Sequence, residues 1–195
     1  VLRRQMVRNL RKPLVIFTPK SLLRHPGAVS RLEEFSTGGF REVIDDGSVP
    51  ASAVGKVVFC CGKVYYDLLA AREERRTDSV ALVRVEQLYP FPEQDLLDVL
   101  EKYPQSSELV WAQEEPRNMG AWRYMRDRLR PLIASGGRNL RYAGRPESAS
   151  PATGSHKRHA LEQAALVEEA FAPPFHAAKP ALRLAPRAPG ASRTG

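Results

Sequence analysis

Cysteine is nearly missing from this chain. Only Cys60 and Cys61 occur in 195 residues, adjacent in an apolar stretch where successive strand side chains point to opposite faces. That excludes a disulfide framework and fits a reducing compartment, a bacterial cytoplasm or a mitochondrial matrix. No apolar run approaches the roughly 20 residues of a spanning helix, so no membrane partner is expected. A G-x-S-x-G elbow, a G-x-x-x-x-G-K-[ST] phosphate loop and a G-x-G-x-x-G fingerprint are also absent, which removes the commonest routes to serine hydrolysis, nucleoside triphosphates and dinucleotides. Histidine is scarce. His156 and His159 are spaced H-x-x-H, but two ligands do not make a zinc site and Lys157 and Arg158 between them oppose a cation. No metal-ligand set is expected.

Acidic residues are missing from both ends. The first is Glu33, and none follows Phe171, where Lys179, Arg183, Arg187 and Arg193 carry four of the eight net positive charges. Residues 172–195, rich in Ala and Pro, read as a disordered basic tail. The rest shows no aromatic-basic stacking platform or recognition motif, so no nucleic-acid partner is expected. The Arg-rich start has the manner of a transit peptide, yet Pro13–Thr18 reads as part of the fold. A start at Val1, close to a strand-like run, suggests a piece of a longer polypeptide. With 43% hydrophobic and 27% charged residues, one compact domain with a real core is the natural reading.

Leu2, Met6, Val7 and Leu10 recur at helical spacing, predicting a short amphipathic helix stopped before Pro13. Leu14–Phe17 reads as a buried strand. Residues 21–34 read as irregular-to-helical, and 36–54, with Gly38-Gly39, Asp45-Asp46-Gly47 and Pro50, as a loop. Strands then alternate with helices: strand 56–61, helix 64–75, strand 80–85, helix 93–103, strand 109–112, helix 121–133, strand 140–142. A Ser/Pro/Gly-rich connector, 145–155, leads to a last helix at 159–171. Such alternation predicts an α/β fold, an open, mostly parallel sheet with helices on both faces. Continuous runs such as Val57-Val58-Phe59 fit strands buried on both sides.

Three motifs carry polar groups at strand ends. Cys61-Gly62-Lys63 joins a strand to a helix, where Lys63 either holds an anion with the helix N-terminus or snorkels at the surface. Lys20, Arg24 and His25 gather after the expected first strand, as a domain interface, an effector anion site or support for an active site. Gln113-Glu114-Glu115 ends an apolar run on two carboxylates. A glycosidase-like pair is excluded, because adjacent residues leaving a strand diverge.

The segments Thr18-Pro19-Lys20-Ser21-Leu22-Leu23-Arg24-His25-Pro26, Gly62-Lys63-Val64-Tyr65-Tyr66-Asp67-Leu68-Leu69, Val83-Arg84-Val85-Glu86-Gln87-Leu88-Tyr89-Pro90-Phe91-Pro92 and Val110-Trp111-Ala112-Gln113-Glu114-Glu115-Pro116-Arg117-Asn118-Met119-Gly120-Ala121-Trp122 occur in order. Together they resemble the C-terminal domain of the thiamine-diphosphate-dependent subunit of 2-oxoglutarate dehydrogenase, from about Leu2 to about Phe171. The resemblance implies a transketolase C-terminal-domain-like sheet of five strands, one usually reversed. Residues 1–35 would end the preceding pyrimidine-binding domain and its junction, 36–171 would form the C-terminal domain, and the tail has no counterpart. Gln113, Glu114 and Glu115 would sit at a subunit contact, with Trp122 as a buried anchor. Met119 stands where glutamine is common.

In that family thiamine diphosphate and Mg2+ are bound through Gly-Asp-Gly and an Asn pair some 25 to 30 residues on. This chain has no Gly-Asp-Gly, and Asn9, Asn118 and Asn139 stand alone, so the cofactor is expected in the complete enzyme and not on this chain. The family's active-site histidine would lie just upstream of Leu2, so no catalytic residue is assigned. The complete enzyme would decarboxylate 2-oxoglutarate and pass the succinyl group to a dihydrolipoyl succinyltransferase in the citric acid cycle. This chain would be its scaffold and homodimerisation domain, docked on the upstream cofactor-binding domains. A sibling enzyme uses 2-oxoadipate. The rival reading is an independent regulatory module binding a nucleotide or acyl-coenzyme A through Lys20, Arg24 and Lys63; a third is a non-functional remnant of a split gene.

Overall fold

In the computed structural model, which describes residues 1–134 and 136–173, strands and helices alternate as the periodicity predicts. The elements are α1 (Leu2–Val7), α2 (Leu32–Ser36), β1 (Val43–Ile44), β2 (Lys56–Cys60), α3 (Val64–Arg75), β3 (Val80–Val85), α4 (Glu93–Lys102), β4 (Glu108–Gln113), α5 (Trp122–Ile133), β5 (Asn139–Gly144) and α6 (His156–Phe171), with short 3-10 turns at Lys20–Arg24 and Ala51–Ala53. The expected tail lies outside the described residues from residue 174 on.

The sheet runs β1-β3-β2-β4-β5. β2, β3, β4 and β5 pair in parallel, and β1 is antiparallel to β3, as the resemblance implied for one strand. That fifth strand is not where the sequence placed it. Leu14–Phe17 forms no strand, and its side chains are exposed, Phe17 at 93%. Prolines bracket the run at positions 13 and 19, and no strand among the described residues pairs with it. The reversed strand comes instead from the supposed loop, because Asp45 and Asp46 pin Val43–Ile44 to the sheet. Asp46 Oδ2 accepts the Leu82 amide at 2.8 Å and pairs with Arg72, while Asp45 accepts from Tyr103 Oη at 2.8 Å and from Lys102.

The central strands alternate their side chains between two cores. Val57, Phe59, Leu109 and Trp111 pack under α4 and α5 with Leu96, Leu100, Met125 and Leu129. Val58, Cys60, Val110 and Ala112 pack under α3 and α6 with Leu68, Leu166 and Ala170. All five residues of β2 are buried, as a strand covered on both faces requires.

At the N-terminal edge of the sheet, Lys56 and Arg141 flank the buried Glu108, at 3.0 and 2.8 Å. Both cations also donate to the last carbonyls of α6: Lys56 Nζ to Phe171 O at 3.3 Å, and Arg141 Nη1 to Glu169 O at 2.7 Å. Cations at a helix C-terminus satisfy its orphan carbonyls and oppose its dipole. The last helix is thereby tied to the sheet.

Candidate functional site

From β2 the chain moves one way to β3 and then back across to β4, so the strand order reverses between β2 and β4. In open α/β sheets the crevice outside the carboxyl ends of two such strands is where ligands bind. Two of the three motifs singled out from the sequence, Cys61-Gly62-Lys63 and Gln113-Glu114-Glu115, meet there. Gly62 takes φ +73°, a left-handed turn that lets β2 enter α3 at once.

The crevice is closed by the chain's own charges. Lys63 Nζ lies 2.9 Å from Glu114 Oε1 and 3.1 Å from Asp67 Oδ2. Gln163 of α6 donates to the same two oxygens, at 3.0 and 2.7 Å. Burial disfavours the Lys63 ammonium, but Glu114 and Asp67 outweigh it and hold its pKa above the ordinary lysine value. An incoming anion would compete with those two carboxylates for Lys63, which links the ends of β2 and β4. Cys61, beside it, has its thiol pushed up to about 12 by burial, with Glu115, Glu86 and Glu114 adding to the effect.

Gln113 is the hub of the β4–α5 loop. Its carbonyl oxygen accepts from Trp111 Nε1 at 2.9 Å and from the Trp122 amide at 2.8 Å. Its amide donates to the carbonyls of Glu115, Pro116 and Met119 at 3.2, 3.3 and 2.8 Å. Gly120 closes against it at φ +63°, where a Cβ would come within 2.8 Å of Gln113 Nε2. Met119 thus contributes its carbonyl to the loop, whatever its side chain. Trp122, expected at a subunit contact, is 4% exposed and packs on Tyr142, ring centroids 5.2 Å apart. Both Gln113 and Trp122 spend their surface inside this chain; Glu115 is exposed and Glu114 half-buried.

The third motif reaches α3 through His25, whose ring centroid lies 4.6 Å from that of Tyr66 at a 44° tilt and whose Nδ1 accepts the Gly27 amide at 3.1 Å. Lys20 and Arg24 are exposed, and among the described residues neither has an ion-pair partner. Sequence reasoning missed Gln163, which is one polar residue among several on α6 and touches the site only through the fold. It also missed the Asp46–Arg72 pair, hidden in what read as turn chemistry.

Among the described residues no group of three or more His, Cys, Asp or Glu side chains is placed to hold a metal ion, and no helix is long and apolar enough to cross a membrane. His159, half of the H-x-x-H pair, lies 2.9 Å from an Arg145 nitrogen through its Nδ1.

Comparison with known proteins agrees with the resemblance. Residues 29–171 match the family described as 2-oxoglutarate dehydrogenase C-terminal. The chain is 50% identical over 173 residues to the 2-oxoglutarate dehydrogenase E1 component of Cupriavidus necator, covering 88% of this chain and 18% of that protein. It is 46% identical over 174 residues to the E1 component of Azotobacter vinelandii, with the same coverage. Against the mitochondrial 2-oxoglutarate dehydrogenase of Caenorhabditis elegans it is 48% identical over 179 residues, 89% of this chain and 17% of that one. A solved split-gene transketolase, an inactive β4 tetramer, aligns at TM-score 0.46 and 13% identity over 67% of this chain and 42% of its own. The chain spans less than a fifth of the length of the curated relatives it matches, and it belongs to the 2-oxoglutarate dehydrogenase C-terminal family.

Proposed function

We propose that this chain serves as the C-terminal domain of a 2-oxoglutarate dehydrogenase E1 component, an oxidoreductase that decarboxylates 2-oxoglutarate on thiamine diphosphate and hands the succinyl group to a dihydrolipoyl succinyltransferase. The compartment is the bacterial cytoplasm or the mitochondrial matrix. The sequence carries no Gly-Asp-Gly, and Asn9, Asn118 and Asn139 stand alone, which supports a part for this chain in docking on the upstream cofactor-binding domains and helping to form a homodimer. When bound there, the cofactor supplies the carbanion-stabilising chemistry.

One observation carries this reading. Among the described residues, thirteen of the fifteen exposed large apolar side chains lie within residues 1–35. Contiguous exposed apolar surface of this kind marks a binding face rather than a finished exterior. Phe17, Val15 and Met6, exposed at 93, 71 and 83%, find no burial among the described residues. The segment meets the domain through Arg4, which lies over Phe40 and reaches Gln87 and Glu42, through Glu34 with Arg41, and through His25 on Tyr66. On this reading the exposed apolar side chains of residues 1–35 pack against the preceding domain, and Lys20 and Arg24, which have no ion-pair partner among the described residues, favour charged docking there.

The test is 2-oxoglutarate-dependent reduction of an artificial electron acceptor with thiamine diphosphate and Mg2+, for the chain alone and mixed with a polypeptide supplying the upstream domains. Activity is expected only in the mixture, and should fall when Phe17→Asp is introduced. A folded chain that never restores activity overturns the reading. Lys20 and Arg24 also favour the regulatory-module reading, for which calorimetric titration with adenine nucleotides and acyl-coenzyme A would give saturable heat on the chain alone.

A further inference from the structure

The strap that carries the chain from β5 into α6, residues 145–155, arches over a cavity of about 270 Å3. Its walls come from Pro116 in the β4–α5 loop, from the strap itself, and from Arg158 and Glu162 on the first two turns of α6. Neither the crevice chemistry nor the docking face uses it.

Arg145 lines this cavity with its side chain 7% exposed. One terminal nitrogen meets His159 Nδ1 at 2.9 Å and Gln163 Oε1 at 3.3 Å. Its Nε–H has no hydrogen-bond acceptor, since Glu162 Oε2 stands 3.4 Å away outside hydrogen-bonding geometry. A buried guanidinium donor left unused is costly, and such donors are normally satisfied. A second guanidinium, Arg158, reaches the same carboxylate with its Nε 2.8 Å from Glu162 Oε1.

The N-terminus of α6 adds to the positive field. Its first turn has no acidic residue and three basic or titratable ones, His156, Lys157 and Arg158, and its Ser155 cap holds the Arg158 amide only at 3.4 Å. Helix N-termini and paired guanidinium groups both favour oxyanions. In this structure Glu162 plays that part from within the chain, accepting from Thr153 and Arg158. The volume, about 270 Å3, is enough for one phosphate group or a small dicarboxylate.

We propose that this cavity binds a small oxyanion, the phosphate or carboxylate group of a metabolite, through Arg145, Arg158 and the N-terminus of α6, in exchange for the internal carboxylate of Glu162. The test titrates the 195-residue chain at low ionic strength with inorganic phosphate and, separately, with succinate, following the amide resonances of residues 154–158. Saturation is expected with a Kd on the order of 1 mM, and the arm that saturates names the class of anion. Arg158, with its side chain 73% exposed, can be removed without touching the core. Arg158→Ala should weaken binding about tenfold, whereas Glu162→Gln, which removes the competing charge, should tighten it by a similar factor. Opposite signs for two variants of one ion pair cannot come from loss of structure. Shifts that stay linear in both anions, that ignore Arg158→Ala, or that weaken with Glu162→Gln would overturn the proposal.

Discussion

Asp46→Asn should cost more stability than its position in a turn suggests. The carboxylate is 7% exposed and accepts the Leu82 amide at 2.8 Å, the Ser48 amide at 3.0 Å and Ser48 Oγ at 2.6 Å, besides pairing with Arg72, itself 7% exposed. Removing one partner of a buried pair leaves the other charge uncompensated, at about 3–5 kcal/mol. In a domain of this size each kcal/mol lowers Tm by about 2–4 °C, so a fall of about 6–20 °C is expected. Urea melts by circular dichroism give the free energy directly. Combining Asp46→Asn with Arg72→Met should cost less than the sum of the two single changes, because the second removes the stranded cation. Burial alone would raise the Asp46 carboxyl, but the Leu82 and Ser48 hydrogen bonds and the Arg72 charge outweigh it and hold it below the ordinary value. A pKa lower in the folded state means the stabilisation is complete above the unfolded value, about 3.9, and is lost as pH falls through the folded one. Wild type should therefore lose stability below about pH 4 more steeply than Asp46→Asn. A Tm change under about 2 °C, or additive single changes, would refute the pinning of β1 by this pair.

Cys61, with its thiol pushed up to about 12, should react with aromatic disulfide reagents at pH 8 far more slowly than free cysteine, and Glu115→Gln should speed it; a rate matching free thiol contradicts the assignment. Gly144→Ala should destabilise by about 1–3 kcal/mol by overpacking, because its Cβ would fall 2.7 Å from the backbone oxygen of Gln113; a denaturation midpoint equal to wild type would show that the strand shifts freely. Gln113→Leu strands the Trp111 and Trp122 donors and should cost about 2–4 kcal/mol, with a change in tryptophan fluorescence as the loop opens.

The alternation of strands and helices from Lys56 to Phe171 was legible from the chain alone, because buried parallel strands are continuous apolar runs and their covering helices carry a 3.6-residue period. The helix at Val64–Arg75 and the strand at Val80–Val85 begin and end as the sequence predicts. Leu14–Phe17 was misjudged, since an apolar run looks the same whether its partner is in this chain or elsewhere. Its exposure is known only from the fold. Val43–Ile44 escaped notice for the opposite reason: two residues have no period, and what makes them a strand is Asp46 reaching the Leu82 amide 36 positions on. Lys63 and Glu114 could be singled out by their places at strand ends. That they neutralise one another, with Gln163 donating to Glu114 and Asp67, depended on β2 and β4 lying side by side and α6 folding back over them. Spacing along the chain carries local period and turn chemistry, whereas the pairing of charges 50 to 100 residues apart exists only once the sheet order is set.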